Sequence, residues 1–488
     1  MVAASFDHFT LSNGISPAVH VVFDAGTLVA DAGLLQVRAL EHSLGILDEL
    51  ADRLPDPRSP QFIHHSKRAL LTQQVYQILA GCPDCNDAQL FRDDPLFQIL
   101  ADVAVDPEQP LASGSTLARF QYAYTRRQAI EPDEPEVLLQ QRAAQTARLK
   151  ILNEYLVDLF IRTRTIVPTE IILDLDPTDD PVHGRQALSG YHGYYQQHQY
   201  LPLLAFEGHS GFPLAAWLRP GTVHAACGAV EVVQALVTRL RQAWPDVVIQ
   251  VRGDTGLAVP RLYDYCEDAC VGYALGFAGN PVLHRATATA LADLELYYAF
   301  YGKSDPHVQR FENVRDYQAE SWRQPRRVVA KVEINPQGSQ RRYVVTNLEQ
   351  PADELYRDFY VRRGKVPEQP IGELKNGLRA DRLSACGFCA NSWRLLVHVV
   401  AYAIVVLFRE ANAGVPEVAT AQVSTLRQRL WKVGAVVCVQ SRRIVFHLSA
   451  TWPGRALWGR VQASVSAFVL RLRERRPPPE GECRASLL

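Results

Sequence analysis

The sequence has almost no net charge. Its 488 residues carry 51 Lys and Arg against 52 Asp and Glu, so bulk electrostatics argues neither for nor against a polyanionic partner. It also lacks the short, regular cysteine spacing of a secreted disulfide scaffold. The nine cysteines are scattered, which favours a reducing, cytoplasmic setting. No charged start followed by an apolar core opens the sequence, so no signal peptide is expected. No apolar run is long enough to span a bilayer, and no membrane partner is expected. The most apolar stretch, Trp393 to Phe408, carries Arg394 and His398 and reads as a helix buried in a core. There is no internal repeat, and RRPPPEGE near the end is the one low-complexity stretch.

What is present is unevenly distributed. From Ala421 to Leu488 there are 12 Lys and Arg against 3 Asp and Glu, a basic tail suited either to a polyanion or to a solvated surface helix. Two CxxC pairs, Cys82/Cys85 and Cys386/Cys389, could supply four thiolates to zinc but lie far apart in sequence, so buried thiols are the plainer reading. His64, His65, His183 and His192 lack carboxylate or cysteine partners at useful spacing and read as surface or hydrogen-bonded residues. Length allows two or three domains.

Helical periodicity dominates up to about residue 150, as in Leu70, Leu71, Val75, Ile78 and Leu79. Leu111 to Arg127 reads as a Ser/Thr-capped short helix with basic residues towards its end, equally compatible with a DNA groove and with a structural hairpin. From about residue 166 strands take over: TEIILDLD, YLPLLAFEG and PLAAWLRPG, then a helix with Val232, Val233, Leu236, Leu240 and Ala243 on one face. A continuously apolar strand VVIQVRGD, a helix around VPRLYDYCED and the strand GYALGFAGN follow. Three strands, a helix, a strand, a helix and a strand is the order of a ribonuclease-H-like α/β fold: a mixed sheet flanked by helices. Residues 281–355 interrupt it with a β-rich insertion that includes Arg326 to Ile334 and Arg341 to Leu348 joined by the turn NPQGSQ.

The stretch IILDLDPTDDP places four carboxylates in seven residues behind an apolar run, a repulsive arrangement that needs a cation. Asp176 and Asp254 both stand at strand ends. In the proposed order those strands are neighbours, and two aspartates at a carboxyl edge suit Mg²⁺. A third carboxylate is expected within Tyr360 to Leu378, where Tyr360, Arg363, Glu368 and Lys375 occur in order. Glu368 and Lys375 are seven apart, two turns on one helical face, so the glutamate would bind metal while arginine and lysine grip phosphates.

With LDLDPTDDPVHG, VRGDTGLAVPRLYDYC, GFAGNPVL and RGKVPEQPIGELKNGLRADRLS in view, the chain resembles the DDE-class transposases of bacterial insertion sequences, in the group with a Y-R-E-K signature, from about Leu111 to Arg460. The resemblance implies DNA cleavage at element ends and strand transfer, with Asp176, Asp254 and Glu368 as metal ligands and Asp174 a less favoured first acid. It implies two Mg²⁺ ions, for which Mn²⁺ can substitute, and Tyr360, Arg363 and Lys375 at the DNA. The expected partners are double-stranded DNA at terminal inverted repeats, target DNA and a second protomer pairing two ends. The expected setting is a bacterial cytoplasm, at the nucleoid when bound. Arg363 and Glu368 have four residues between them where the group has three, which leaves Arg362 open as the alternative. The implied organisation is a mainly helical DNA-binding region 1–150, a catalytic core 151–280, the insertion 281–355, a helical end of the core 356–420 and a basic region 421–488.

Two rivals remain. LDLDPT also fits D-x-D-x-T, the nucleophile loop of haloacid-dehalogenase-like phosphatases, with Asp174 as nucleophile and Asp176 as acid and base. That chemistry needs a lysine, and none stands between Pro177 and Asp254. A catalytically silent transposase-derived DNA-binding protein is the other, although all three acids are in place.

Overall fold

The computed structural model describes residues 9–11, 19–21, 26–106, 108–123, 135–193, 195–364 and 368–475. The chain divides into two compact units: Met1–Ala51, Arg58–Ala118 and Phe408–Val469 form one, and Asp52–Pro57, Arg119–Leu407 and Leu470–Leu488 the other.

The first unit is largely helical. Its helix Lys67–Ala80 starts where the Ser66 side chain accepts a hydrogen bond from the Ala69 N–H and stops at Gly81, whose φ of 93° only glycine adopts without strain. The expected face of Leu70, Leu71, Val75, Ile78 and Leu79 is buried. Short strands accompany the helices: Phe9–Leu11 pairs with Val19–Val21, and Leu28–Val29 joins Ala435–Gln440 and Arg443–Leu448 in an antiparallel sheet. The capped segment expected near Leu111 is the helix Gly114–Gln121, and its basic residues Arg126 and Arg127 lie outside the described residues. The basic tail is described only as far as Arg475.

The second unit is built on an eight-stranded mixed sheet. Its strands are β1 (Glu170–Pro177), β2 (Leu203–Glu207), β3 (Pro213–Trp217), β4 (Val248–Gly253), β5 (Gly272–Phe277), β6 (Val308–Tyr317), β7 (Arg326–Asn335) and β8 (Gly338–Thr346), in the spatial order β6-β7-β8-β5-β4-β1-β2-β3. β1 and β4 run parallel, as do β4 and β5, while β2, β3 and the β6-β7-β8 meander are antiparallel to their neighbours. Ile171 to Leu175 are all buried, as a strand covered on both faces requires. Helices α1 (Pro135–Thr163), α2 (Ala229–Ala243), α3 (Pro260–Asp268), α4 (Ala288–Tyr301) and α5 (Phe388–Ala411) complete the elements used below.

Some expectations need correction. The hairpin turn is shorter than NPQGSQ: Asn335 pairs directly with Gly338, whose φ of 120° closes a two-residue loop. β6 adds a strand to the two expected in the insertion; as an edge strand it exposes one side, and its sequence VQRFENVRDY is accordingly polar. α5 extends beyond Trp393 to Phe408 on both sides, to 24 residues, because polar residues continue the helix where hydropathy falls. By length and composition it could cross a membrane, yet its most apolar window is entirely buried in protein. Burial pushes the His398 imidazole on this helix down to about 4, leaving it neutral with Nδ1 against the Arg394 carbonyl at 2.7 Å.

Candidate active site

Parallel pairing sets Asp174 opposite Arg252 and Leu175 opposite Gly253. The following residues, Asp176 and Asp254, therefore meet at the carboxyl end of two adjacent strands, where ligands of α/β sheets collect. Side chains two apart on a strand share a face, so Asp174 and Asp176 point the same way, and Arg252 and Asp254 likewise.

The deeper pair is a closed salt bridge. Arg252 donates from Nε and Nη2 to the two oxygens of Asp174, each at 2.6 Å, and both residues are buried. Its remaining Nη1 donates to the Phe359 carbonyl at 2.8 Å, and the guanidinium lies 5.2 Å from the Phe359 ring. Arg252 thereby ties the segment that follows the sheet to the strand beneath it. Arg252 is a site residue beyond those expected from sequence. The signal was present, an arginine inside the apolar run VVIQVRGD, since a buried charge requires a partner.

Above that pair the carboxylates crowd. The Arg363 guanidinium is 3.6 Å from Asp176 Oδ1. Burial, reinforced by Asp254, Glu368 and Asp174 and opposed by Arg363, pushes the Asp176 carboxyl up to about 7. Burial also raises Asp254, against Arg363 and the backbone N–H groups of Gly256 and Leu257. One oxygen of Asp254, Oδ1, is buried without a hydrogen-bond partner. Glu368 is exposed and begins the short helix Glu368–Gly372.

The segment bearing these groups is placed by packing. The wide helical turn Leu355–Tyr360 buries Leu355, Tyr356 and Phe359 against Ile172, Ala274, Val329 and Val344 of the sheet, with Tyr360 packed at the margin. Such π-helical turns concentrate at functional sites. Gly276 permits the approach, because a Cβ there would come within 2.6 Å of the Tyr360 hydroxyl oxygen. The Arg363 guanidinium lies 5.9 Å from the Tyr360 ring. Arg362 points elsewhere, 3.8 Å from Asp358 and largely exposed.

Among the described residues no group of three or more His, Cys, Asp or Glu side chains is gathered to hold a metal ion. The donor set itself fits a hard divalent cation: carboxylate oxygens only, one orphaned, and a raised Asp176 that a cation would return to its ionised form.

Over residues 11–469 the sequence matches the family described as transposase DDE domain group 1. The chain belongs to that family. It is thus a DNA transposase of the DDE class, and the phosphatase reading falls: Asp174, its required nucleophile, has both oxygens taken up by Arg252. Among solved structures the transposase is similar to a piggyBac transposase synaptic complex with hairpin DNA, with 11% identity and a TM-score of 0.40 over 93% of this chain and 83% of that one. No curated protein matches its sequence.

Lys375 follows a change of helical geometry. The helix begun at Glu368 changes to a wide turn over Glu373–Gly377, so seven residues no longer make two ordinary turns. Lys375 Nζ is 2.9 Å from Asp179 Oδ1, beside a small depression lined by Thr178, Asp180, Pro202, Ile371 and Asp381. Burial, then Asp381, push the Asp180 carboxyl up to about 8, Lys375 opposing. An acid whose native pKa lies above its unfolded value near 3.8 favours the fold while protonated, and that contribution is lost as pH rises towards 8. Asp180→Asn is therefore expected to melt several degrees above wild type at pH 8.5, with the difference vanishing near pH 4. Equal melting temperatures at both pH values would show that Asp180 is ionised at no cost.

Proposed function

We propose that this transposase cuts DNA at the ends of an insertion sequence and joins the ends to target DNA through phosphodiester hydrolysis and transesterification. The observation that carries the reading is the meeting of Asp176 and Asp254 at the ends of adjacent parallel strands, beneath a segment that brings Arg363 within 3.6 Å. The spatial order β3-β2-β1-β4-β5 supports a ribonuclease-H-like core.

Asp176, Asp254 and Glu368 would hold two Mg²⁺ ions. When bound, these supply an activated attacking hydroxyl and a stabilised leaving oxygen. The protein's own residues do the rest. Arg363, the counter-charge of Asp176, would orient a phosphate in line. Tyr360 offers a ring and a hydroxyl to the strand end. A phosphate would compete with Asp179 for the Lys375 ammonium. Partly buried acids, pushed towards their protonated forms, would ionise fully once cations arrive. Affinity for the terminal inverted repeats is assigned to residues 1–150, with the basic region 421–488 contributing phosphate contacts of any sequence. Two protomers would pair two ends, through a hairpin or another cleavage route.

The test is Mg²⁺-dependent cleavage of DNA carrying the inverted repeats that flank the coding sequence, against scrambled repeats. Cleavage of the repeats alone supports the proposal, and metal-independent or absent cleavage by folded protein counts against it. A second expectation concerns Lys375. Lys375→Ala should make the dependence of log affinity on log salt shallower by about 0.9, the loss of one phosphate contact. An unchanged slope would assign Lys375 to its pair with Asp179 alone.

A further inference from the structure

A buried guanidinium needs an anion, and two in the second unit have one: Arg252 closes on Asp174 at 2.6 Å, and Arg326 on Asp264 at 2.6 Å and Glu267 at 2.7 Å. Arg219 differs. It stands just beyond the end of β3 and is as deeply buried, yet among the described residues no carboxylate forms an ion pair with it. Its donors go to backbone carbonyls instead: Nε to Leu201 at 2.7 Å, and Nη1 to Ala225 at 2.6 Å and Cys227 at 2.7 Å. Nη2 is buried with no hydrogen-bond partner. Burial pushes the guanidinium down to about 10, with the Cys227 thiol and Asp254 opposing, so it keeps its charge at neutral pH.

The neighbours of Arg219 lead to the active site. The carbonyls it gathers belong to the loop that enters α2, which starts after Gly228 in a left-handed turn with φ of 76°. Ala225 in that loop lies against Gly256, where a Cβ would come within 2.7 Å of the Ala225 Cβ and 3.3 Å of Asp254 Oδ1. Gly256 in turn donates its N–H to the Asp254 side chain. One guanidinium thus fastens Ala225 to Leu201, Ala225 abuts Gly256, and Gly256 holds the carboxylate. Asp254 Oδ1 is left without a hydrogen-bond donor, the condition of an oxygen kept for a hard cation.

We propose that Arg219 is a positioning residue of the active site: it holds the 225–227 loop against Gly256 and so fixes the Asp254 carboxylate for a divalent cation. The inference rests on the reading of Asp254 as a metal ligand. Arg219 acts through Gly256 and touches neither cation nor DNA.

The experiment is calorimetric titration of Mn²⁺ into the DNA-free full chain, at a temperature where circular dichroism shows each variant folded. Asp254→Asn is the reference without the ligand, and wild type is expected to bind Mn²⁺ more tightly than this reference. Arg219→Gln should weaken binding about tenfold, the usual effect of losing a group that supports a metal ligand. Ala225→Gly changes no polar side chain and removes only the methyl that abuts Gly256, so it should fold and weaken binding by about threefold. It decides the matter if Arg219→Gln does not fold. In cleavage assays both variants should raise the half-saturating Mn²⁺ concentration by the same factors and approach the wild-type rate at saturating metal. Wild-type Mn²⁺ affinity in folded Arg219→Gln or in Ala225→Gly would reduce Arg219 to a loop clamp and overturn the inference while the catalytic reading stands. Wild-type affinity in Asp254→Asn would overturn both.

Discussion

Asp176→Asn, Asp254→Asn and Glu368→Gln are each expected to lower Mg²⁺-dependent cleavage of element ends by roughly a thousandfold, the equivalent of several kcal/mol of lost transition-state stabilisation. A carboxamide keeps the shape of the side chain and removes the charge that would hold the cation. Folding should not suffer. Asp176 is pushed towards its protonated form by burial and by Asp254, Glu368 and Asp174, and Asp254 by burial, so an amide at either position removes the cost of a buried charge. The Asp176 variant should therefore melt no lower than wild type at pH 8, as expected where a site sacrifices stability for chemistry. Cleavage and circular dichroism on the same preparations check both halves. A variant that cuts at the wild-type rate removes its residue from the site. One that loses cleavage together with its fold shows a structural role.

The second large effect belongs to Arg252. Removing one member of a buried ion pair leaves the other charge without compensation, so Arg252→Met is expected to destabilise the protein by about 3–5 kcal/mol. The loss is larger in kind than a missing pair, because the Nη1 bond to the Phe359 carbonyl goes with it and loosens the segment that carries Tyr360 and Arg363. Arg252→Met combined with Asp174→Leu should recover most of the stability, since no buried charge is then left alone, but should not recover full cleavage. Denaturant midpoints of the single and double variants decide the matter. Asp174→Asn also belongs in this class. Its expected loss of activity is a consequence of weakened folding, and it should vanish when cleavage is measured per folded molecule.

How much was legible in advance depended on the range of the interaction. Strand periodicity and turn residues are local, and they located β1, β4, β5 and α2 within a few residues. The strand-end carboxylates Asp176 and Asp254 were legible for the same reason, since four acids in the seven residues from Asp174 to Asp180 conflict with burial unless something cationic comes to them. β6 was hidden because an edge strand has too few buried positions to show a pattern. The seven-residue spacing of Glu368 and Lys375 converts to one face only for ordinary helical turns, and the wide turn at Glu373–Gly377 changes that conversion.

The sequence alone carried the family: strand-end acids, a basic and aromatic segment before Glu368, and the motifs of the DDE group to which the chain belongs. Tertiary structure alone decided which charges answer which. Asp174 and Asp176 are two residues apart and alike in composition, yet one is sealed by Arg252 and the other faces Arg363. Pairing across 78 positions of chain follows from strand register, and register is set by the burial of whole faces of the sheet, a property no short window of sequence contains.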